Sequence, residues 1–571
     1  MDNKNKPHWI EVVWFFRIAV LAVMLFRLPS AFAQTPGIIV SNGTAGLSWP
    51  ETDYYYLLQS STNLTASNAW FNVATASALS SNYSFSIPPQ SGLAVTAPVI
   101  TNLVGGNFVA TQGIGQAQQF FRLQAPQKPL GIPVCSFGIF YAGELEFSDS
   151  PTLTIGGPVH ANGPIDLGTT SGSTQTFNST ITTASVIDSP ERAGVTFPSW
   201  TTSVVFNGQP AYVTNTPAFS PVFGTNNPHA IIQTPPVGED PTSLIGQSRL
   251  FNQAQVVLII SNSLNSTAGT NPTVFLTLQN SYNGFVPGDD PTKISYVITN
   301  ATTALLRTNF NNSTDIAMPF LTLTNTFTDQ RERQTNMFVT QIDVGAFAAW
   351  ATTNVIVTNK ITASFGLYPT ILYVADKRNL ITQLTNKLAV VRLVNAQKLP
   401  NNNGLGFTVA TQNPLYVLGN YNTTQDGVHF ALAIGSTTNG YTVPAALIAD
   451  AITVLSSNWN DELSILNFDL HFSVNTTLNA ALIAGDVPST GTTATTFSGG
   501  VQNLTRLLEN WEGYTLNYNT SLVCLYSSQM ATNQFQLPGA YYSAPTRDWG
   551  FDPNFSDPNK LPQGIPTYIL P

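Results

Sequence analysis

The sequence predicts an all-β protein: an N-terminal β-sandwich, then an irregular right-handed β-helix or solenoid with a large inserted segment and a C-terminal cap. Three observations predict it. Apolar residues recur in short period-two bursts punctuated by Gly, Asn, Ser and Pro, the pattern of strands joined by tight turns. Only 9% of the 571 residues are charged, so Asn, Thr, Ser and Gln must keep the surface wet. With 43% hydrophobic and 11% aromatic residues the chain can bury a large core, which excludes wholesale disorder. A net charge of -9 excludes a basic nucleic-acid binder.

Residues 1–33 read as a signal peptide. Lys4 and Lys6 precede an apolar run at 18–26, and Ala31-Phe32-Ala33 supplies the small-x-small cleavage pattern. The run is shorter than the roughly 20 residues that cross a bilayer, and no later segment is long enough, so no transmembrane helix is expected after cleavage. The expected location is extracytoplasmic: periplasm, cell surface or secreted. Export allows Cys135 and Cys524 to form a disulfide, with two separately buried thiols as the alternative.

Residues 34–124 carry about seven apolar bursts, enough for a small antiparallel sandwich burying Trp49 and Trp70. The order Tyr56-Leu57-Leu58-Gln59-Ser60-Ser61-Thr62-Asn63-Leu64, then Trp70, then Gln119-Phe120-Phe121-Arg122-Leu123 resembles a fibronectin-type-III-like module. That resemblance implies a spacing or attachment role. The proline-rich stretch 125–133 reads as a linker.

Residues 134–496 repeat a loose unit of short strand, Gly/Asn/Pro corner and short strand. Leu153-Thr154-Ile155, Val159-His160, Ile165-Asp166-Leu167 and Thr180-Ile181-Thr182 show it early, and Asn413-Pro414-Leu415-Tyr416-Val417-Leu418-Gly419-Asn420 shows it late. Gly and Asn tolerate the left-handed corners that such turns require. The segment from about 188 to 400 reads as an insertion, with strand-like runs at 255–261 and 371–374 and a helix at 345–352. Residues 497–571 read as a cap over open strand edges, built on Trp511, Tyr514, Tyr518, Tyr541, Tyr542, Trp549, Phe551 and Phe555.

The run Gly157-Pro158-Val159-His160-Ala161-Asn162-Gly163 resembles the opening rungs of a family of exported bacterial proteins related to type IV pilus accessory proteins of the minor-pilin type. Gln341-Ile342-Asp343-Val344-Gly345, Asn458-Trp459-Asn460-Asp461, Phe497-Ser498-Gly499-Gly500-Val501-Gln502-Asn503 and Arg547-Asp548-Trp549-Gly550-Phe551-Asp552 extend the resemblance. It implies a β-solenoid surface protein with envelope or pilus-type partners. A cleavable signal and a sandwich stand where a pilin helix would be, so the resemblance does not carry pilus incorporation with it.

Chemistry-bearing residues are sparse. Asp548, Asp552 and Asp557 are the candidates for converging on Ca²⁺, but their spacing is not that of an EF-hand loop, and capping of turns is the favoured reading. Arg547 and Asp548 are expected to anchor the closing path, and Trp511 and Trp549 to pack it. Arg506 and Glu509 stand three apart in what reads as a short helix over 504–511, which would make an intrahelical ion pair. His160, His229, His429 and His471 are isolated, with no metal-ligand spacing. Glu144, Glu146, Asp166, Asp426 and Asp450 occur singly, although Glu144 and Glu146 share a face of a regular strand. No nucleophile elbow, zinc pair, phosphate loop or dinucleotide fingerprint appears. The expected function is therefore structural or adhesive, without catalytic residues or cofactor. The competing expectation is a polysaccharide-active β-helix enzyme or a protein binding extracellular glycans.

Overall fold

A computed structural model describes the backbone of strands between residues 10 and 124, and residues 131–569 apart from 189–199, 224–226, 263–271, 279–293, 299–304, 307–315, 333–336, 359–367, 379–386, 402–403, 491–497, 536–540 and the single residues 202, 242, 324 and 499. The apolar run 18–26, the Ala31-Phe32-Ala33 site, Trp70 and the linker residues 125–130 lie outside the described residues. The chain divides into two compact units, 1–130 with 557–559, and 131–556 with 560–571.

The N-terminal unit holds two antiparallel sheets. One runs in the order Gly37–Ser41, Thr44–Pro50, Asn107–Gly113, Ile100–Val104, Asn82–Ser84. The other runs Ile10–Val12, Phe120–Gln124, Leu57–Ser61, Phe71–Ala74. Ile10–Val12, inside the segment expected to be removed on export, is an edge strand of that second sheet.

The main unit is dominated by strands, and most of its pairs are parallel. Its first long-sheet strand, Ile139–Tyr141, has Val159–Ala161, Ile181–Thr183 and Tyr212–Val213 stacked in sequence on one side. On its other side lies Thr515–Ser527, almost the last strand of the chain, in register Ile139↔Leu522 and Tyr141↔Cys524. Beyond it the sheet continues through Thr476–Asp486, Ala445–Ala449, Phe407–Thr411, Ile371–Asp376 and Val256–Asn262, and ends in the antiparallel Pro272–Leu278 and Ile294–Ile298. From 338 onward the chain alternates between this sheet and a second one. The second contains Phe338–Asp343, Ala389–Val394, Leu415–Leu418, Ile452–Leu455 and Thr505–Leu507, all parallel. Before 213 it visits three sheets in turn, the others being built on Leu145–Ser150 and Leu153–Ile155.

Burial on both faces accounts for the composition of the long sheet. Strands such as Ala445-Ala446-Leu447-Ile448-Ala449 are buried at every position, the unbroken apolar run expected when both faces are covered. One face looks into the main core with Leu447, Leu482 and Leu522. The opposite face presents Ala446, Ala481, Ile483 and Val523, small enough for residues 219–254 to lie close against them with Phe223, Ile231, Ile232 and Leu250. Arg249 fixes this strap from within, donating to the carbonyls of Ala230 and Gln233 and pairing with Glu239. Tyr373 adds a hydroxyl bond to the Ile232 carbonyl at 2.7 Å.

Three expectations are corrected here. Residues 188–400 are not an insertion between two parts of one ladder, because Val256–Asn262, Phe338–Asp343, Ile371–Asp376 and Ala389–Val394 are themselves members of the two large sheets. The strap 219–254 departs from them, carrying the chain back from one end of the long sheet to the other. Residues 497–571 do not cap an end, since Thr515–Ser527 is an interior strand with partners on both sides. Nor is 504–511 a helix: Arg506 sits in the strand Thr505–Leu507 and pairs with Glu332, while Glu509 accepts from the Ser456 amide at 2.6 Å and hydroxyl at 2.7 Å. Burial raises the Glu509 carboxyl to about 7, only partly offset by these two bonds. The expected helix is present as Val344–Thr353, capped by the Asp343 side chain accepting from the Ala346 amide at 2.8 Å.

Candidate functional site

A cleft of about 360 Å³ opens beside the seam where Ile139–Tyr141 meets Thr515–Ser527. Glu144 and Glu146 line it from one side, Asp486 and Ser489 from another, and Tyr526 and Ser527 from the seam strand.

Strand alternation produces the acidic wall. Leu145 and Phe147 point into the core cluster, so Glu146 between them points the other way. Parallel pairing then places Glu146, Asp166 and Asp188 directly beside one another on three neighbouring strands, about 4.8 Å per step. Like charges directly opposite across a ladder repel. Asp166, in the middle, is fully buried and hydrogen-bonds the Glu144 carboxyl. Two carboxyls can bond only by sharing a proton. Burial first, then Glu144, then the charges of Glu146 and Asp188 push the Asp166 carboxyl up to about 8.

The other cleft carboxylates are held differently. Glu146 accepts from the Ser489 hydroxyl at 2.7 Å, and Ser489 accepts in turn from the Ser498 amide at 2.9 Å. The short turn Gly500–Asn503 closes on the same strand. Gly500 has φ +62°, and a Cβ there would stand 2.4 Å from the Glu146 carbonyl oxygen, so only glycine fits. Asp486 is raised to about 6, chiefly by burial, with Cys524 hydrogen bonding and the Arg506 charge opposing and Glu146 adding to it.

Behind Pro228 in the cleft wall, His229 reaches from the strap to Asp450, Nε2 to Oδ1 at 2.9 Å, both nearly inaccessible. Asp450 also accepts from the amides of Gln529, Met530 and Ala531 at 2.6, 3.0 and 3.0 Å. Burial pushes this carboxyl up, but the bonds from His229, Ala531 and Gln529 and the His229 charge outweigh it, so it lies below its ordinary value.

A second surface feature is apolar. Val428, Phe430, Leu432 and Ile434 alternate along one exposed corner loop, and Leu463, Ile465, Leu466, Leu470 and Phe472 expose another. Asn479 and Asn519, neighbours in the long sheet, hold the first loop by donating to the carbonyls of Ala431 and Ala433.

The structure brings together Glu144, Glu146 and Asp166, which the sequence displays singly, and adds Asp188 and Asp486. Only the intervals of 20 and 22 residues between Leu145-Glu146, Ile165-Asp166 and Ile187-Asp188 mark three of them in the sequence. Asp426 is elsewhere, bonded to exposed His429 at 2.6 Å. His160 is packed against Phe140 and Phe219 and bonded to Thr182 and Asn162, and His471 bonds the Leu463 carbonyl. Cys135 and Cys524 are free thiols in different apolar clusters, one on each side of the long sheet, which overturns their pairing.

Among the described residues no group of three or more His, Cys, Asp or Glu is placed to hold a metal ion. Asp552 accepts from Thr437 and the Asn554 amide, Asp557 accepts from the Asn559 amide, and Asp548 is exposed on the strand Thr546–Phe551, so the three do not act as one Ca²⁺ site. Arg547 lies over the Trp549 ring at 5.7 Å, Trp549 stacks on Tyr518 at 5.4 Å, and Trp511 is fully buried. No described helix is long and apolar enough to cross a membrane. No protein-family model, curated protein or solved structure matches the chain.

Proposed function

We propose that the protein is an exported adhesive surface protein built on a β-solenoid, and that it holds a polar glycan in the acid-lined cleft without cleaving it. The cleft carries this reading. Carboxylates and serine hydroxyls converge on a wall whose strands are locked by neighbours and buried behind, the rigid support a binding site needs. Support for the solenoid comes from the alternation between sheets, in which each return of the chain adds one parallel neighbour in register. The N-terminal pair of antiparallel sheets serves as a sandwich spacer in this reading. The exposed apolar corner loops serve as the attachment surface for an envelope or pilus-type partner.

The test is calorimetric titration of the purified chain against soluble glycans of neutral, acidic and basic classes. At least one class should bind, and Glu144→Gln with Glu146→Gln should weaken it at least tenfold. Absence of binding across the panel, or binding indifferent to that pair, overturns the proposal. A second reading, glycoside hydrolysis, is favoured by one observation: Asp486, raised to about 6, lines the same cleft as the Glu144 carboxyl, and a carboxyl raised by burial and facing a second one is what acid–base cleavage uses. Turnover of the bound glycan that Asp486→Asn abolishes while binding survives would establish it in place of adhesion.

A further inference from the structure

We propose that the exposed corner loops dock a protein whose contact face is apolar with a rim of Lys and Arg. This rests on the reading of those loops as an attachment surface and names the chemistry of the partner.

The apolar residues stand on neighbouring corners. The chain turns from the second sheet into the long one at residues 419–444 and again at 456–475. The two corners are tied to each other: Asn420 accepts from the Thr477 amide at 2.9 Å, and the Thr477 hydroxyl donates to the Leu432 carbonyl at 3.4 Å. Exposure of the apolar side chains runs from 39% at Ile434 and Leu463 to 73% at Val428. Together they offer on the order of 800 Å², above the roughly 300–600 Å² of the largest patch on a typical monomer and about one partner's share of a standard interface.

Both loops hold these side chains outward. Asp426 accepts from the amides of Val428 and His429 at 2.8 Å each, ahead of the two asparagines that grip Ala431 and Ala433. In the second loop buried Ser464 donates to the Asp461 carbonyl and accepts from the Thr328 amide at 2.9 Å, while the His471 ring bonds the Leu463 carbonyl. A face already braced in this way loses little conformational freedom on binding.

Charge at the rim selects the partner. No Lys or Arg occurs between Lys398 and Arg506, and the arginines nearest the second loop are buried and committed, Arg392 to Asp461 and Arg506 to Glu332. Exposed acids border that loop: Glu462 and Asp469 within it, and Glu512 on the next corner, where Asn510 bridges to Phe472. The first loop is closer to neutral, because Asp426 pairs with His429 and Lys398 is exposed on the corner before it. A second copy applied to the same patch would set acid against acid, and an anionic lipid surface would be repelled. An apolar face with a basic rim matches both the area and the charge.

The experiment uses the full chain and four measurements: calorimetry with a designed amphipathic peptide of Leu and Lys, calorimetry with its counterpart carrying Glu for Lys, flotation with phosphatidylcholine–phosphatidylglycerol vesicles, and sedimentation of the chain alone. The Leu/Lys peptide should bind at least tenfold more tightly than the Leu/Glu peptide and lose affinity severalfold from low to high salt. Phe430→Ser with Ile465→Ser should remove at least tenfold of that affinity. If that pair does not fold, Glu462→Gln with Asp469→Asn and Glu512→Gln should abolish the salt dependence and the preference for Lys over Glu. Equal binding of the two peptides overturns the basic rim while leaving an apolar attachment surface intact, and failure of both overturns the attachment reading as well. Peptide binding lost on Glu144→Gln with Glu146→Gln, and not on the corner variants, assigns the peptide to the cleft. Vesicle binding that Ile465→Ser abolishes assigns the corners to a lipid surface, and a dimer that Ile465→Ser dissociates assigns them to a second copy. Any of these three results overturns the proposal.

Discussion

Replacing Asp166 with Asn should make the protein more stable at neutral pH. The carboxyl is fully buried beside Glu144 and holds its proton up to about pH 8, whereas in the unfolded chain it would release it near 3.8. A group whose proton is bound more tightly in the folded state loses stability as pH rises from the unfolded value to the folded one. From pH 3.8 to pH 7 lie about three pH units at about 1.4 kcal/mol each, roughly 4 kcal/mol. Water in the adjoining cleft screens about half of that, leaving about 2 kcal/mol. Asn keeps the shape, never ionises, and offers its amide to the neighbouring carboxylates. Urea midpoints of wild type and Asp166→Asn, measured from pH 4 to 9, should coincide near pH 4 and separate progressively above it, the variant being the more stable. A variant that is less stable at pH 7, or an offset that does not change with pH, would refute the account of the acidic ladder.

Asp450→Ala leaves His229 and three backbone amides without their acceptor and should cost about 3–5 kcal/mol, with the strap 219–254 becoming the first site of limited proteolysis. Because the Asp450 carboxyl lies below its ordinary value, its contribution is present above the unfolded value near pH 4 and fades as pH falls further; the wild-type advantage over Asp450→Asn should shrink in acid. Gly500→Ala drives a Cβ to 2.4 Å from the Glu146 carbonyl at a left-handed position, so a loss of at least about 2 kcal/mol and weakened glycan binding are expected. Cys135 and Cys524 are fully or nearly fully buried and their thiols are raised above the ordinary range, so thiol reagents should label both only after denaturation, and intact mass without reductant should show two free thiols.

Much of the local structure was legible in the sequence because it depends on neighbours along the chain. Strand-like runs at 255–261 and 371–374 and a helix at 345–352, all read from the sequence, correspond to Val256–Asn262, Ile371–Asp376 and Val344–Thr353. What could not be read is the order in which strands lie side by side. Nothing in Ile139-Phe140-Tyr141 announces Leu522-Val523-Cys524 as its partner, because apolar strands buried on both faces are interchangeable as patterns. That ignorance turned the last part of the chain into a cap and its middle into an insertion. The acidic cleft was missed for the same reason, since Glu146 and Asp486 belong to segments 340 residues apart that only the seam unites. Arg506 shows the converse failure: local spacing suggested Glu509, while tertiary packing gave it Glu332.

The pairing of the first long-sheet strand with one of the last has a consequence for biogenesis. Ser521 donates to the Phe137 carbonyl across 384 residues of chain, so the centre of the sheet is the last part to be completed. While the polypeptide is still emerging, Ile139–Tyr141 presents bare amides and carbonyls to any passing strand, and such an edge invites association between copies. Long-range closure of this kind is slow relative to local pairing. A chain terminated before Thr515 would leave two separate half-sheets with facing raw edges rather than one shortened molecule, so a late nonsense change should be as damaging as an early one.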